Sequence, residues 1–515
     1  MLQLILGRAG SGKTYRIREQ VKQLAEQNTE KVMLLVPEQY SFESEKAMLK
    51  LLGPKQVNKV QVMSFTRLTD MAFRAYGGSG IAKLDDGGRN IFMSLALEEV
   101  KAELEFYVTR VEELIPLMLS VSAELKMCAI APAVLLEMAQ QTEDKKLKQK
   151  LKEVGLILSA YDALVAQSYL DPLDDLQRLK HTFTEHRFFE GYHIYIDSFE
   201  GFTQQEFDLI ELMLSQACEV TVSLSCDTLD NQMGAEVFAR IRHTANVLMR
   251  MARQHHVQVS APIVLEPGIR FATEDLKHLE HQIFRVEKEP LSNVPDVITL
   301  YSGETVYHEA AYIGATIRHL VMNEGYQYQD FAIIARSLDN YRGMLDVALE
   351  QYEVPYFMDT PRSVYAEPLM CLVLYALQIL KSNFSSDDMF VYLKTGLAGL
   401  TPYEISLLEN YTFLWNLSGK KWLKEWTANV DGFVERQTEQ QEKRLGELNQ
   451  LRERAVKPLV RLQKRLKDGD GLIYAKALYQ FLEELDVPSS LQNLSNQLEQ
   501  MGRLDTAEQQ TQLWN

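Results

Sequence analysis

The chain has 515 residues, 46% of them hydrophobic and 24% charged, with a formal net charge of −17. By length that is about three or four ordinary globular domains, able to bury large cores. The acidic balance excludes a wholly basic nucleic-acid coat but not a local basic groove, and no apolar run approaches the roughly 18 residues of a membrane span. The four cysteines, Cys128, Cys218, Cys226 and Cys371, are scattered without a C-x-x-C pair. That spacing predicts reduced thiols in a cytoplasm rather than a zinc or iron–sulfur site. The N-terminus has neither a basic n-region nor a cleavage site, so no secretory leader is expected.

In chain order, the apolar run Leu2, Leu4, Ile5, Leu6 predicts a buried strand. Gly7, Arg8, Ala9, Gly10, Ser11, Gly12, Lys13 and Thr14 follow and fit G-x-x-x-x-G-K-[ST], and Ile17, Val21 and Leu24 then recur at helical spacing. Strand, glycine loop and helix form the context of a phosphate-binding loop. Glycines let backbone N–H groups turn toward phosphate oxygens, and the helix N-terminus adds positive potential. Lys13 would reach the terminal phosphates of ATP, and Thr14 would hold Mg2+.

A second strand is predicted over 31–36, stopped by Pro37, with a polar loop over 38–41. A third covers 60–63 and ends in Ser64, Phe65, Thr66, Arg67 and Leu68. Strands alternating with helices point to a parallel sheet with ligands at the strand ends. Gln39, Ser41, Phe65 and Arg67 stand there and offer stacking and hydrogen bonding to bases, although ordinary loop chemistry would use the same residue types. After Gly77, Gly78, Ser79 and Gly80 the pattern is helical from about 81 to 190, with breaks at Ala131-Pro132 and Asp171-Pro172. The cluster Asp171, Asp174, Asp175 reads as a solvated helix start before it reads as a metal site.

The sheet pattern resumes at 193–197. An apolar strand ending in Asp197 is where a phosphate-loop ATPase places its Mg2+-linked carboxylate. Ser198 follows, where an efficient helicase-type ATPase would carry Glu to activate water. Glu200 would sit roughly 6–7 Å further along an extended backbone, too far to replace it. The pocket is thus expected to bind ATP and lack a base. Phe202 opens another strand-end loop, and a further strand covers 220–224 and closes near Cys226 and Asp227. Pro262, Pro267, Pro290 and Pro295 mark a linker around a helix at 276–284. A second α/β unit is predicted from strands at 297–301, 331–336 and 354–358 and helices at 308–323 and 341–352. Arg336, at a strand end, could meet a phosphate or form a surface ion pair. Beyond Met370 the pattern is helical. Trp415, Trp422 and Trp426 are expected to pack near a turn at Gly419. A long helix over 437–467, kinked or broken at Pro458, carries the most basic tract, which reads as a solvated face before a DNA track. The chain is expected to stop inside an element at Trp514 and Asn515.

The ordered set GRAGSGKT (7–14), VPEQYSFESEK (36–46), VMSFTRL (62–68), YIDSFEGFTQQE (195–206), YQDFAIIARSLDNY (328–341) and VPYFMD (354–359) resembles the AddB family. This is the B subunit of the AddAB helicase–nuclease, which processes broken DNA ends in bacteria. The resemblance implies an α/β fold on the superfamily 1 helicase-like plan, two RecA-like P-loop domains with large helical insertions. On that plan 1–80 and 191–260 form the first RecA-like domain and 81–190 its insertion. A linker covers 261–296, 297–369 begins the second domain, and 370–515 is a second, truncated insertion. The resemblance implies a heterodimer with an AddA-type motor/nuclease subunit, a 3′-ended single strand of DNA as ligand and recognition of Chi. It implies contacts to that strand at Gln39, Ser41, Phe65, Arg67 and Phe202. It places an iron–sulfur cluster on four cysteines, the nuclease domain and the arginine finger in regions beyond this chain. An adenine-reading glutamine upstream of the loop is expected to be lost, because Gln3 lies in the strand. Two other readings stand beside it: a free-standing phosphate-loop ATPase, kinase or translocase, and a non-catalytic scaffold. Asp197-Ser198 disfavours an active translocase, and the length and insertions disfavour a kinase.

Overall fold

The computed structural model describes residues 1–27, 31–77, 80–107, 111–230, 236–266, 268–285, 288–292, 294–358, 364–433, 438–467 and 470–514. Gly78, Ser79, Pro267, Asp359, Gln437 and Asn515 of the sequence patterns above lie outside them. The chain divides into a unit of Met1–Tyr301 and a unit of Ser302–Asn515.

The first unit is built on β1 (Leu2–Leu6), whose leucines and isoleucine are buried on both faces. A continuous apolar run of this kind belongs inside a parallel sheet covered by helices on either side. The chain continues through α1 (Lys13–Glu26), β2 (Val32–Leu35), α2 (Glu38–Gln56), β3 (Val60–Met63) and α3 (Phe65–Tyr76). Five helices follow: α4 (Asp86–Val100), α5 (Val111–Met127), α6 (Pro132–Gln141), α7 (Lys145–Ala166) and α8 (Asp175–His186). The sheet resumes with β4 (His193–Ile196), α9 (Gln204–Gln216), β5 (Glu219–Leu224), α10 (Ala239–Gln254), β6 (Ile263–Val264) and α11 (Glu274–Gln282). The strands form one parallel six-stranded sheet in the order β3-β2-β4-β5-β1-β6. Its two faces carry separate apolar cores, one under α3, α9 and α10 and one under α1 and α2.

The acidic cluster in the helical insertion does open helices, with Asp171 capping the turn at Pro172–Asp174 and Asp175 beginning α8, but Asp171 is buried rather than solvated and the cluster gathers around a lysine. Lys126 Nζ lies 3.0 Å from Asp171, 2.7 Å from Asp174 and 3.3 Å from Asp162. Asp171 is fully buried and also accepts from Tyr161 Oη at 3.1 Å and Leu173 N at 3.0 Å. Asp175 turns away to Lys83 and Arg178. An ammonium group occupies the position a cation would take.

The region read as a linker around a helix at 276–284 does hold that helix, as α11, and adds the unexpected β6 to the first unit. The two-residue β6 pairs with Ile5 and Leu6 of β1 and is too short to show a period in sequence.

In the second unit α12 (Val306–Glu324) and α13 (Leu345–Gln351) pack through Ala310, Ile317, Ala348 and Leu349. The expected strands at 297–301, at the end of the first unit, and at 331–336 and 354–358 do not form: no strand is present among the described residues after Val264. An apolar strand needs neighbours to take its N–H and C=O groups and to cover its faces. Here Leu300, Ile334 and Phe357 stand 97%, 93% and 90% exposed. A cavity of about 390 Å³ lies among Ile317, Phe331, Leu349, Tyr356 and Phe357.

The remainder is helical: α14 (Pro368–Lys381), α15 (Ser386–Leu393), α16 (Pro402–Leu414), α17 (Glu439–Arg465), α18 (Gly471–Glu484), α19 (Val487–Gln500) and α20 (Leu504–Trp514). Trp422 and Trp426 are buried in its core, as expected from their place beside Gly419. The long α17 runs through Pro458 without a break. Its basic tract is largely engaged within the bundle. Arg452 is buried and donates to the Trp422 carbonyl at 2.9 Å, Arg454 to Glu404 at 2.7 Å, and Arg465 to Glu484 at 2.5 Å.

Candidate nucleotide-binding site

β1 ends at Leu6, and the glycine loop turns the chain into α1. Gly10 (φ 73°) and Gly12 (φ 88°) are left-handed, a conformation that costs other residues energy through their Cβ. At Gly7 a Cβ would come within 2.1 Å of Ser11 Oγ. Ser11 Oγ is itself buried and without a hydrogen-bond partner. Lys13 Nζ donates to the carbonyls of Gly7 at 2.8 Å and Arg8 at 3.0 Å, so the ammonium lies back over the loop. Burial lowers the Lys13 pKa, and Asp197 is the strongest charge opposing that shift. Thr14 is half-buried in the first turn of α1.

Asp197 follows β4. Its carboxylate accepts from Ser223 Oγ on β5 at 2.5 Å and from Ser198 Oγ at 3.3 Å, and it is nearly sealed from solvent. Ser198 is left-handed (φ 66°) and exposed. An ammonium, a carboxylate and a helix N-terminus thus meet at the carboxyl ends of parallel strands. This is the chemistry that holds a polyphosphate with a divalent cation. Gln3 is occupied elsewhere, donating to the Ala261 carbonyl at 2.9 Å.

Three features of the site have no signature in the local sequence pattern. Arg270 N donates to the Gly10 carbonyl at 3.0 Å, the Phe271 ring lies beside Gly10, and the Arg270 charge acts on Lys13. A second cation therefore stands at the loop. The Arg8 side chain does not turn to the phosphate side; it donates to Glu280 Oε1 at 2.8 Å and to the Glu280 carbonyl. Burial pushes the thiol of Cys226, just beyond β5, up to about 11.

The expected DNA contacts gather at the ends of β2, β3 and β4, which are neighbours in the sheet. Two of the expected loops are helix starts. Glu38 opens α2 directly after Pro37, and Ser64 caps α3 by accepting from Arg67 N at 3.1 Å. This changes what each side chain offers. Ser41 is buried and donates to the Glu38 carbonyl at 2.8 Å, so it is not an open hydrogen-bond reader. Phe65 is 7% exposed and packs edge-on against Phe199 at 5.8 Å, so it is not an open stacking platform. Gln39 is exposed. Arg67 is partly exposed and bonded to Glu45, beside an open groove of about 510 Å³ along the β3 edge. Phe202 is partly exposed and lines a cleft of about 590 Å³ with Met127, Cys128, Phe207 and Arg240.

Among the described residues no cluster of His, Cys, Asp and Glu is placed to hold a metal ion, and no single helix is long and apolar enough to cross a membrane. The family model described as "ADDB, N-terminal" matches residues 4–280. The chain belongs to the AddB family. It is 31% identical to the B subunit of the ATP-dependent helicase/deoxyribonuclease of Clostridium kluyveri, over 100% of this chain and 46% of that protein. Identity to the B subunits of the same name from Clostridium acetobutylicum and Clostridioides difficile is 29%, with the same coverage. This AddB-family chain thus spans about half the length of the curated relatives it matches.

Proposed function

We propose that this chain is the nucleotide- and DNA-holding part of the B subunit of a bacterial helicase–exonuclease that processes double-strand breaks for recombinational repair. The observation that carries the reading is Lys13 and Asp197 brought to one loop at the sheet's carboxyl edge. Gly7 to Thr14 would bind ATP. The Thr14 hydroxyl and Asp197 carboxylate would hold Mg2+, which neutralises phosphate charge when bound. Asp197 is already fixed by two serine hydroxyls, so it is oriented before any cation arrives. The AddA-type subunit would be the motor and nuclease partner in a heterodimer in the cytoplasm. This chain would bind the 3′-ended single strand and take part in Chi recognition. The resemblance to the two-RecA plan belongs to the same reading, with 297–369 opening the second such domain.

Turnover by this chain alone is expected to be very slow and little stimulated by DNA. The Ser198 hydroxyl cannot act as a general base at neutral pH. Steady-state phosphate release with and without single-stranded DNA checks this, and robust DNA-stimulated turnover would show it wrong.

DNA binding is the decisive test of the reading. A chain of net charge −17 must use a local surface rather than bulk electrostatics. Phe202→Ala should weaken binding of single-stranded oligonucleotides by about tenfold, since stacking contributes ~1–3 kcal/mol per base. Arg67→Ala should weaken all sequences alike if it meets phosphate, or blunt sequence preference if it meets a guanine edge. Gln39→Ala tests hydrogen-bond readout. Fluorescence anisotropy at several salt concentrations reads all three, and parent-like binding by every variant would move the DNA surface elsewhere.

One observation favours a second reading, a scaffold whose loop only stabilises the fold: Lys13 is already satisfied by the loop's own carbonyls. A ligand that binds only the folded state must raise its melting temperature, so the absence of a Mg-ATP thermal shift would favour the scaffold.

A further inference from the structure

Arg8 sits inside the phosphate-loop motif, yet its side chain serves a different purpose. The guanidinium is 7% exposed and holds the last turn of α11 through the Glu280 carboxylate and carbonyl. Asp227 lies 3.6 Å away, and the Phe238 ring packs at 5.3 Å from the guanidinium carbon. A buried arginine fork of this kind is geometrically specific and poorly replaced by solvent. A second bond ties the same two stretches together, from Arg270 N to the Gly10 carbonyl. The strap 268–282 is therefore fastened to the loop at both its ends. One hydroxyl in the loop, Ser11 Oγ, and one in the strap, Thr273 Oγ1 just before α11, are buried without partners among the described residues.

The loop also contains a direct mechanical link. Lys13 Nζ bonds to the Arg8 carbonyl, and the Arg8 side chain bonds to α11. Phosphate oxygens would draw the Lys13 ammonium off that carbonyl. The Arg8 peptide would then be free to reorient while its side chain stays anchored. The same negative charge would draw Arg270 and the start of the strap inward.

We propose that Arg8 is a positioning residue that couples the phosphate loop to the strap 268–282, so that nucleotide on the loop orders the strap and α11. The inference rests on the nucleotide-binding reading above. The strap leads by sequence into the connection to the second unit, so its order is a signal that nucleotide could send along the chain.

Hydrogen exchange of the whole chain, with and without Mg-ATP, tests this. Nucleotide affinity is measured in parallel by calorimetry. In the parent, Mg-ATP should slow exchange over 268–282 by about tenfold, the size of a modest local stabilisation. In Glu280→Gln, affinity should stay within about threefold of the parent while the slowing is largely lost, and Arg8→Ala, which alters the binding loop itself, is compared at saturating nucleotide, where the slowing should also be lost. Circular dichroism confirms that each variant folds, and Glu280→Gln keeps the backbone bond should Arg8→Ala fail. Slowing that persists in a folded Glu280→Gln variant overturns the coupling role. A parent that binds Mg-ATP without any change over 268–282 overturns this inference alone. A parent that binds no nucleotide overturns both this inference and the reading beneath it.

Discussion

Lys13→Ala is expected to lower affinity for Mg-ATP by about ten- to a hundredfold, the range for losing a charge-assisted hydrogen bond to an ionised partner. The fold should survive, because Lys13 now bonds only to carbonyls of its own loop and is not part of a core. Lys13→Arg is not a silent control: a planar fork cannot take the place of a compact ammonium beside Gly7 and Arg8. Asp197→Asn tests the other half of the site. It keeps most of the shape around Ser223 but removes the charge, so the loss should fall on the Mg2+ dependence of binding more than on metal-free nucleotide. Calorimetric titration with ATP, with and without Mg2+, measures both. Equal affinity for Lys13→Ala and the parent would sink the nucleotide assignment.

Lys126→Met should destabilise the helical insertion by about 3 kcal/mol, the low end for breaking a buried ion pair. Three carboxylates converge on the ammonium, and one of them, Asp171, has no solvent to fall back on. Arg89, 3.8 Å from Asp171, and the Tyr161 hydroxyl remain, which keeps the loss from being larger. Burial alone would lower the Lys126 pKa, but the hydrogen bond to Asp174 and the charges of Asp174, Asp162 and Asp171 together hold it above the ordinary lysine value. A pKa raised on folding gives stability that is complete below the unfolded value and fades only as pH climbs through the folded one. The deficit of Lys126→Met should therefore persist at neutral pH and shrink in strong alkali as the lysine loses its proton, and also in acid as Asp162 and Asp174, whose pKa values are raised by burial, take up protons. The exposed Lys101, paired with Glu98 at 3.1 Å, is the control, and Lys101→Met should change stability by under about 0.5 kcal/mol. Urea titration followed by circular dichroism compares the two.

What could be read from the sequence was local. The strand, loop and helix over 2–26 and the strand ending at Asp197 are each set by a few adjacent residues, and the fold keeps them as read. The helix starts at Glu38 and Phe65 are hard to read in sequence because polar residues after a strand suit both a loop and a helix N-terminus. Pro37 and the Ser64 cap decided for the helix. That choice buried Ser41 and Phe65. The partners of Arg8 and Gly10 could not be found by pattern, since Glu280 and Arg270 lie some 270 and 260 residues away in sequence. β6 carries two residues and no periodicity. The apolar segments at 331–336 and 354–358 have strand composition, but composition alone does not supply the neighbouring strands that make a sheet.

Those unpaired segments have a practical consequence. Ile333, Ile334 and Phe357 face solvent beside backbone groups that no ladder uses. Extended apolar backbone of this kind is a template for whatever other chain can lie alongside it. In concentrated solution the nearest such chain is another copy of the same molecule, and pairing along these segments is expected to give a growing aggregate rather than a defined dimer. Light scattering should rise with protein concentration even where nucleotide binding is intact. Affinities for DNA measured on crowded samples would then report the clumped material, so dilute protein is the proper setting for each titration described above.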